Sequence, residues 1–336
     1  MADGRPVAAV AGLGVGARHA DTLRSCGCEL RLLCDPDVDR ARSLAKELGA
    51  GGHARDFDAI LADPEVELVV VASPDDAHFA QALAALEAGR HVFVEKPMCR
   101  TIAELHALRV AWAAHGGRVK LASNLVLRAA PLYRRVRDDV QAGAYGTPYA
   151  VDAEYLYGRL EKITGGWRGG IRDYSVMLGG GVHMADLMLW VLGERPHTVR
   201  ATGNRICTAS RAMGFDDFSA AELRFPSGVV GRLTANFGCV QPHQHVFRVY
   251  GTGGTFHFDD AGARMYASRS PDRPPVRLHE SSRPEDASAL VPWFVDAVRT
   301  DADIGKHTDD MFAAVSVCVA CDQAVATNSE TEIEYA

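Results

Sequence analysis

Short apolar runs alternate with segments of helical periodicity in the first third of the chain. The runs are VAAVAG from Val7, LRLLCD from Leu30, LVVVAS from Leu68, HVFVEK from His91 and VKLAS from Val119. Segments such as FAQALAALEAG, from Phe79, lie between them. Strands that alternate with helices are typical of a parallel sheet, because each parallel connection crosses back over the sheet. The pattern predicts a doubly wound α/β domain of the Rossmann type over residues 1–122.

Helix boundaries in this region are marked by specific residues. Thr101 and Glu104 have the spacing of a capping box and predict a helix that begins just after Thr101. Gly89 and Gly143 follow apolar periodic segments and indicate helix ends, because glycine adopts the left-handed conformation that often terminates a helix.

From about residue 123 the periodicity changes to alternating, strand-like stretches. They are TPYAVDAEYLY from Thr147, SAAELRF from Ser219, VVGRLTANF from Val229, HVFRVYG from His245 and TFHF from Thr255. Such stretches predict a second domain, residues 123–336, built on a large open and mainly antiparallel sheet. The last helix, near Asp309–Thr327, can return to the first domain. An open sheet needs its other face covered, so we expect a homodimer or homotetramer.

Composition narrows the classes of partner. The chain has 336 residues and a formal net charge of -7, whereas nucleic-acid and anionic-membrane binding need clustered Lys and Arg. We therefore expect a small-molecule substrate, with no nucleic acid and no membrane. No apolar run approaches about 20 residues, and the N-terminal segment leads into a strand, so we expect a cytoplasmic protein. The eight cysteines are interpreted as reduced thiols, and the Cys318-x-x-Cys321 pair as one packed helix face.

The first strand is followed by Gly12, Gly14 and Gly16. Glycines at this turn let backbone N–H groups and a helix N-terminus approach a pyrophosphate. Asp35 ends the second strand, where a carboxylate can accept hydrogen bonds from the adenosine ribose. Helix capping beside Pro36 is an alternative role for it. A carboxylate there repels a 2′-phosphate, so we expect NAD rather than NADP, although Arg40 could soften this preference.

These features belong to an ordered series that extends over nearly the whole chain. The series consists of Gly12–Gly14, Asp35, Ser73-Pro74 with His78, AGRHVFVEKP ending at Pro97, Asn124 with Arg128 and Pro131, GGGVHMAD ending at Asp186, and GTGGT from Gly251. In this order the motifs resemble the Gfo/Idh/MocA oxidoreductase family. The resemblance implies a Rossmann domain, a C-terminal domain on a large open sheet, and hydride transfer between a nicotinamide and a sugar, polyol or related carbon.

The resemblance also implies roles for individual residues. Lys96 corresponds to the lysine that lines the nicotinamide end and binds the reacting oxygen, and we expect the Lys96-Pro97 bond to be cis. His183 corresponds to the histidine that exchanges a proton with the substrate hydroxyl, for which an imidazole is suited. The cofactor contacts implied are Gly12, Gly14, Gly16, Asp35, Ser73, Pro74, His78, Glu95, Lys96 and Pro97.

Several polar or aromatic residues are candidates for binding the substrate. They are Asn124, Arg128, Tyr155, Trp167, Arg168, Tyr174 and Asp186. Arg168 and Arg172 could hold a phosphate or carboxylate through bidentate contacts. His243 and His245 have no acidic or cysteine partner at a suitable spacing, so we interpret them as polar residues at a strand edge and expect no metal site.

The chain departs from the family pattern at two points. Many members have an aspartate four residues before the catalytic histidine, and this chain has Gly179. Either Lys96 and His183 suffice, or Asp173 or Tyr174 fills the gap. His19 follows Gly14 one residue earlier than is common, which leaves the role of Gly16 open.

The sequence therefore predicts an NAD-dependent dehydrogenase or reductase that acts on a CH–OH group, with Lys96 and His183 handling the oxygen and the proton. Two alternatives remain at this point. One is a catalytically inactive NAD-binding sensor or regulatory protein of the same fold, for which Gly179 is the best argument. The other is an oxidoreductase with tightly bound NAD(H) that is recycled on one substrate.

Overall fold

A computed structural model describes residues 5–171, 173–211 and 214–336. The chain divides into two compact units. The first extends to Val126 and includes Glu285–Phe312, and the second comprises Leu127–Pro284 and Ala313–Tyr335. Each unit is built around its own sheet.

The first unit contains a six-stranded parallel sheet. Its strands are β1 (Val7–Ala11), β2 (Glu29–Cys34), β3 (Gly52–Ala54), β4 (Leu68–Val71), β5 (His91–Val94) and β6 (Leu121–Ser123), in the order β3-β2-β1-β4-β5-β6. The helices are α1 (Gly16–Ser25), α2 (Val38–Leu48), α3 (Asp58–Ala62), α4 (His78–Glu87), α5 (Ile102–Ala113) and α9 (Val291–Thr300). All residues of β4 are fully buried, as expected of a central strand covered on both faces. The predicted doubly wound sheet is confirmed.

The second unit contains a nine-stranded sheet. Its strands are β7 (Pro148–Leu156), β8 (Thr198–Asn204), β9 (Phe218–Arg224), β10 (Val230–Asn236), β11 (Gln244–Gly251), β12 (Thr255–Asp259), β13 (Gly262–Tyr266), β14 (Val276–Leu278) and β15 (Thr331–Glu332). The order is β14-β13-β12-β11-β7-β10-β9-β8-β15, and within it only the β7–β10 pair is parallel. The prediction of a large, mainly antiparallel sheet is therefore confirmed.

Helices of the second unit are α6 (Pro131–Gln141), α7 (Leu160–Thr164) and α8 (Val182–Leu192), with 3-10 turns at Val126–Ala129 and Trp167–Gly170 and a π-helical turn at Met177–Gly181. The strands show the predicted alternation. Phe247 and Val249 of β11 are fully buried, whereas Arg248 and Tyr250 between them are half-buried. Since successive side chains point to opposite faces, one face of the sheet holds the core.

The sequence signals for helix and turn boundaries are confirmed. Thr101 and Glu104 form a capping box at the start of α5. Gly89 and Gly143 follow α4 and α6 with positive φ angles of 74° and 75°. The run Pro226-Ser227-Gly228 predicts a turn between two strands, and Gly228 has a φ of 88° in the turn between β9 and β10.

The helix α10 (Gly305–Thr327) begins in the first unit and ends in the second. Its length and its mean hydropathy of 1.3 would suit a membrane span, but 67% of that apolar window is buried within the protein. Burial of this extent is explained by a core helix. Cys318 and Cys321 are fully buried in α10, which agrees with the interpretation of this pair as a packed face, and burial raises the pKa of both thiols.

Candidate active site

The glycine-rich loop joins β1 to α1 at the carboxyl edge of the parallel sheet. Gly12 has a φ of +83°, and a Cβ there would collide with the backbone of Ala72 and Ser73. A Cβ on Gly16 would lie 3.1 Å from the Cβ of Ala72, so this glycine lets α1 pack closely on the sheet. A Cβ on Gly14 would meet no described atom within 4 Å. The positive φ of Gly12 and the close packing at Gly16 are the features expected of the turn and helix-packing positions of a dinucleotide-binding loop, and contact of Gly14 and Gly16 with a pyrophosphate stays a prediction.

Asp35 follows β2 and is buried, with both carboxylate oxygens engaged. The backbone N–H of Leu13 donates to Oδ2 at 2.7 Å, and that of Asp37 donates to Oδ1 at 2.9 Å. Asp37, not Asp35, is the N-cap of α2, since it accepts from the N–H of Arg40. The Arg40 guanidinium lies 4.0 Å from Asp35. Asp35 therefore ties the glycine-rich loop to β2, and the capping alternative belongs to its neighbour.

His78 links the ends of two central strands. Its ring nitrogens lie 2.7 Å from the carbonyl oxygens of Ser73 and Pro97. Ser73 also donates its hydroxyl to Gln81 of α4. The residue pair Ser73-Pro74 and the turn at Pro97 are thereby held together at the sheet edge where ligands bind in doubly wound folds.

Glu95 lies at the centre of a buried hydrogen-bond network after β5. Its Oε1 lies 2.9 Å from Nε2 of His19 and 2.7 Å from Nδ2 of Asn124. Its Oε2 accepts from the backbone N–H of Lys96 at 3.2 Å. Burial alone would favour the neutral acid, but the hydrogen bond from His19 and the nearby charge of Lys96 hold the pKa of Glu95 below its ordinary value. The carboxylate thus fixes the backbone that carries Lys96, and the bond between Lys96 and Pro97 is cis, as expected.

The glycine triplet forms a π-helical turn directly before α8 in the second unit. A Cβ on Gly179 would collide with the phenol of Tyr174, and one on Gly180 would collide with the ring of Tyr155. The glycines therefore admit aromatic rings against this turn. Tyr174 therefore occupies the space beside Gly179, the position at which the family resemblance implies an aspartate. Turns of the π type are frequent at functional sites.

His183 lies in the first turn of α8 and is 9% exposed. Its ring stacks on Tyr155 of β7, with centroids 6.1 Å apart and an interplanar angle of 22°. Tyr155 also contacts Tyr157 and Phe237, at 5.9 and 5.7 Å between centroids. Burial raises the pKa of the Tyr155 phenol, so this residue supplies a neutral aromatic surface beside the imidazole.

Arg128 and Asp186, both candidates for substrate binding, contact each other. The guanidinium Nε lies 2.9 and 3.1 Å from the two carboxylate oxygens, and both side chains are buried. The Arg128 guanidinium also lies 5.6 Å from the ring of Trp190 in α8. This ion pair anchors α8, the helix that carries His183. Contact of Arg128 and Asp186 with a substrate stays a prediction.

The remaining candidates lie in the segment before the π-helical turn. Trp167 is 42% exposed, and the Arg168 guanidinium stacks 4.2 Å from its ring centroid. Tyr174 is buried and packs on Phe215, with centroids 4.9 Å apart. Arg172 lies outside the described residues.

His245 contacts the aromatic ring that stacks on His183, a neighbour that the sequence did not predict. Its ring centroid lies 5.3 Å from that of Tyr155, to which it is paired across β7 and β11. Burial, with the nearby charges of His243 and Arg283, lowers the pKa of His245 to about 3, so the imidazole is neutral. The sequence does contain a pattern that indicates this. His245 and Phe247 are two residues apart on one strand, so their side chains point to the same face of β11, which is the face of the core rather than a polar strand edge.

The first unit has the features that are needed to bind a dinucleotide. Gly12, Gly14 and Gly16 shape the loop at a helix N-terminus, and Asp35 stands beside that loop. At the other half of the same edge, Oδ1 of Asn124 is buried and has no hydrogen-bond partner among the described residues. Metal ligands were not expected, and no group of three His, Cys, Asp or Glu side chains suited to a metal occurs in the described part of the chain.

Comparison with known proteins agrees with this arrangement. Residues 7–123 match the model of the oxidoreductase family with an NAD-binding Rossmann fold, and residues 133–257 match the GFO/IDH/MocA C-terminal domain. The 1,5-anhydro-D-fructose reductase of Ensifer adhaerens is 31% identical over 69% of this chain and 69% of its own. Inositol 2-dehydrogenase 1 of Saccharopolyspora erythraea is 29% identical over 97% of this chain and 96% of its own.

A solved structure of levoglucosan dehydrogenase with NADH and L-sorbose shares the fold, with a TM-score of 0.85 and 18% identity over 98% of this chain and 99% of that chain. The family models cover the glycine-rich loop, the Lys96 strand and the His183 helix alike. The chain therefore belongs to the Gfo/Idh/MocA family of NAD-binding oxidoreductases.

Proposed function

We propose that this protein is an NAD-dependent dehydrogenase or reductase that transfers hydride between the nicotinamide ring and a carbinol carbon of a sugar, cyclic polyol or sugar-like intermediate. The substrate class is supported by the relatives, which are named as a 1,5-anhydro-D-fructose reductase and an inositol 2-dehydrogenase. The observation that carries the proposal is the position of Lys96, two residues after β5 at the carboxyl edge of the parallel sheet, on a backbone held by buried Glu95.

The chemistry assigned to the side chains is as follows. The Lys96 ammonium donates a hydrogen bond to the substrate oxygen and stabilises the charge that develops there. His183 accepts the hydroxyl proton during oxidation and returns it during reduction. When bound, the nicotinamide would supply the hydride acceptor for oxidation and the hydride donor for reduction. Gly12, Gly14 and Gly16 would hold the pyrophosphate, and Asp35 the adenosine ribose.

A substrate panel tests this proposal. Polyols, sugars and sugar nucleotides are offered with NAD and with NADP, and reduction of the nicotinamide is followed by its absorbance. We expect turnover of at least one cyclic polyol or sugar with added NAD. Conversion of substrate to product without added cofactor, measured by product analysis because no NADH accumulates, would instead support tightly bound, recycled NAD(H). Cofactor binding with no turnover of any substrate would support the sensor alternative.

Replacing Asp35 by Asn should weaken the discrimination against NADP. The carboxylate repels a 2′-phosphate, and its loss should lower the NAD-to-NADP ratio of kcat/KM by about tenfold, equivalent to roughly 1.4 kcal/mol. Asp39→Asn is the matched control, because Asp39 is exposed on α2 and forms an ion pair with Arg42, three residues away on the same helix. Equal ratios in both variants, or a native preference for NADP, would contradict the assignment of Asp35.

We further propose a homodimer or homotetramer in the cytoplasm. Support comes from the open sheet, whose outward face carries a layer of partly buried polar groups. Asp152 is only 4% exposed and accepts from Arg232 and Tyr250 on neighbouring strands of that face. Light scattering coupled to size-exclusion chromatography should give two or four times the chain mass, and a monomer at micromolar concentration would refute the assembly.

A further inference from the structure

The carboxamide of Asn124 is held in one orientation. Its backbone N–H donates to Val94 at the end of β5, which places the residue at the carboxyl edge of the sheet. Its Nδ2 donates to Oε1 of Glu95 at 2.7 Å and to the carbonyl oxygen of Ala287 at 2.8 Å. Both N–H groups are thus committed to acceptors. The reversed amide would set its oxygen against two other oxygens, so the orientation is fixed by chemistry.

This orientation leaves Oδ1 as an acceptor. Asn124 is 3% exposed, and within the described residues its Oδ1 has no hydrogen-bond donor. A buried acceptor without a donor is destabilising, and a donor on a bound ligand would remove that cost. The atom therefore points to a ligand that carries an N–H or O–H group.

The partners of Asn124 show that the orientation is built into the core of the first unit. Glu95 receives the amide and also His19, which is fully buried and whose Nδ1 lies 3.1 Å from the hydroxyl of buried Ser288. The same carboxylate holds the backbone N–H of Lys96. The buried carboxylate of Glu95 thus fixes both the orientation of the Asn124 side-chain amide and the backbone at Lys96.

We propose that Oδ1 of Asn124 accepts a hydrogen bond from the carboxamide NH₂ of the nicotinamide, so that this residue reads the cofactor ring rather than the substrate. The proposal rests on NAD as the cofactor in the proposed function. A doubly wound sheet binds the two nucleotides over its two halves. Asp35 lies in the β1–β2 half, and Asn124 lies beside β5 and β6 in the other, where the nicotinamide half belongs.

A comparison of two ligands on the native protein and on an Asn124 variant tests this contact by binding alone, without turnover. In 3-acetylpyridine adenine dinucleotide a methyl group replaces the carboxamide NH₂, so the ligand keeps its carbonyl and loses the donor. Dissociation constants for NAD and for this analogue are measured by calorimetry in the absence of substrate. The native protein should prefer NAD by about tenfold, and Asn124→Ala should reduce the preference to about twofold or less.

His19→Leu is the matched control, because it removes another hydrogen-bond partner of the same Glu95 oxygen and leaves the Asn124 oxygen in place. It should retain the native preference. Should Asn124→Ala fail to fold, Asn124→Ser gives the same readout, since its shorter side chain cannot reach the same position. An unchanged preference in a folded Asn124 variant would overturn the proposal, including the case in which only the KM of the substrate rises and a substrate hydroxyl is the donor. Failure of the substrate panel would leave this binding measurement intact, so the two proposals fail separately.

Discussion

Replacing His183 by Ala should lower kcat/KM for the carbinol substrate by roughly 10²–10⁴, the contribution expected of a positioned general base. A base must be unprotonated to accept the hydroxyl proton, so the native enzyme should gain activity with rising pH as the imidazole loses its proton. This acid limb should disappear in the variant, while the dissociation constant for NAD should stay within about twofold of the native value, since a general base contributes to the transition state rather than to cofactor binding.

His245→Ala is the matched control for this prediction. Both imidazoles contact the ring of Tyr155, at centroid distances of 6.1 Å for His183 and 5.3 Å for His245. Both substitutions therefore remove ring contacts with the same tyrosine, but only one removes the proposed proton acceptor. The control should keep the acid limb of the pH profile and lose much less activity. Unchanged turnover of His183→Ala across the pH range would reject the assignment of the base.

The parts of the fold that were predictable from sequence depend on local rules. Gly12 must adopt a positive φ and Gly16 must admit a helix against a strand, and both requirements are visible as glycines at fixed positions after an apolar run. The alternation of buried and half-buried residues along β11 likewise follows from strand geometry alone. The class of each sheet and ten of the fifteen strands among the residues that the structure describes could therefore be predicted from the sequence, whereas β3, β8, β13, β14 and β15 could not.

The partners of individual side chains could not be predicted in this way. The sequence suggests a cofactor contact for Glu95 but does not show that its carboxylate lies within hydrogen-bond distance of His19, 76 residues away in the chain. Arg128 and Asp186, 58 residues apart, were assigned to the substrate and form a buried ion pair. Such pairings depend on which helices and strands pack against each other. A single sequence indicates which face of an element is buried, but not which other element covers that face.

The second large effect concerns the position where this chain lacks the family aspartate. By helix propensity alone, Gly179→Ala should stabilise the protein by up to about 1 kcal/mol, because alanine restricts the unfolded backbone. The added Cβ would, however, collide with the phenol of Tyr174, which is buried and packed on Phe215. We expect the collision to prevail and the free energy of unfolding to fall by about 1–3 kcal/mol, measured by denaturant titration.

A double-mutant cycle shows whether Tyr174 is the cause. Tyr174→Ala is destabilising in itself because it leaves a cavity, but on that background Gly179→Ala should no longer carry a penalty, giving a coupling of about 1–3 kcal/mol. Gly170→Ala is the control, since a Cβ there would meet no described atom within 4 Å. A stabilising Gly179→Ala in the native background would mean that the phenol does not occupy this space. The site beside His183 would then lack both the aspartate and a substitute, which is the condition that favours a non-catalytic protein.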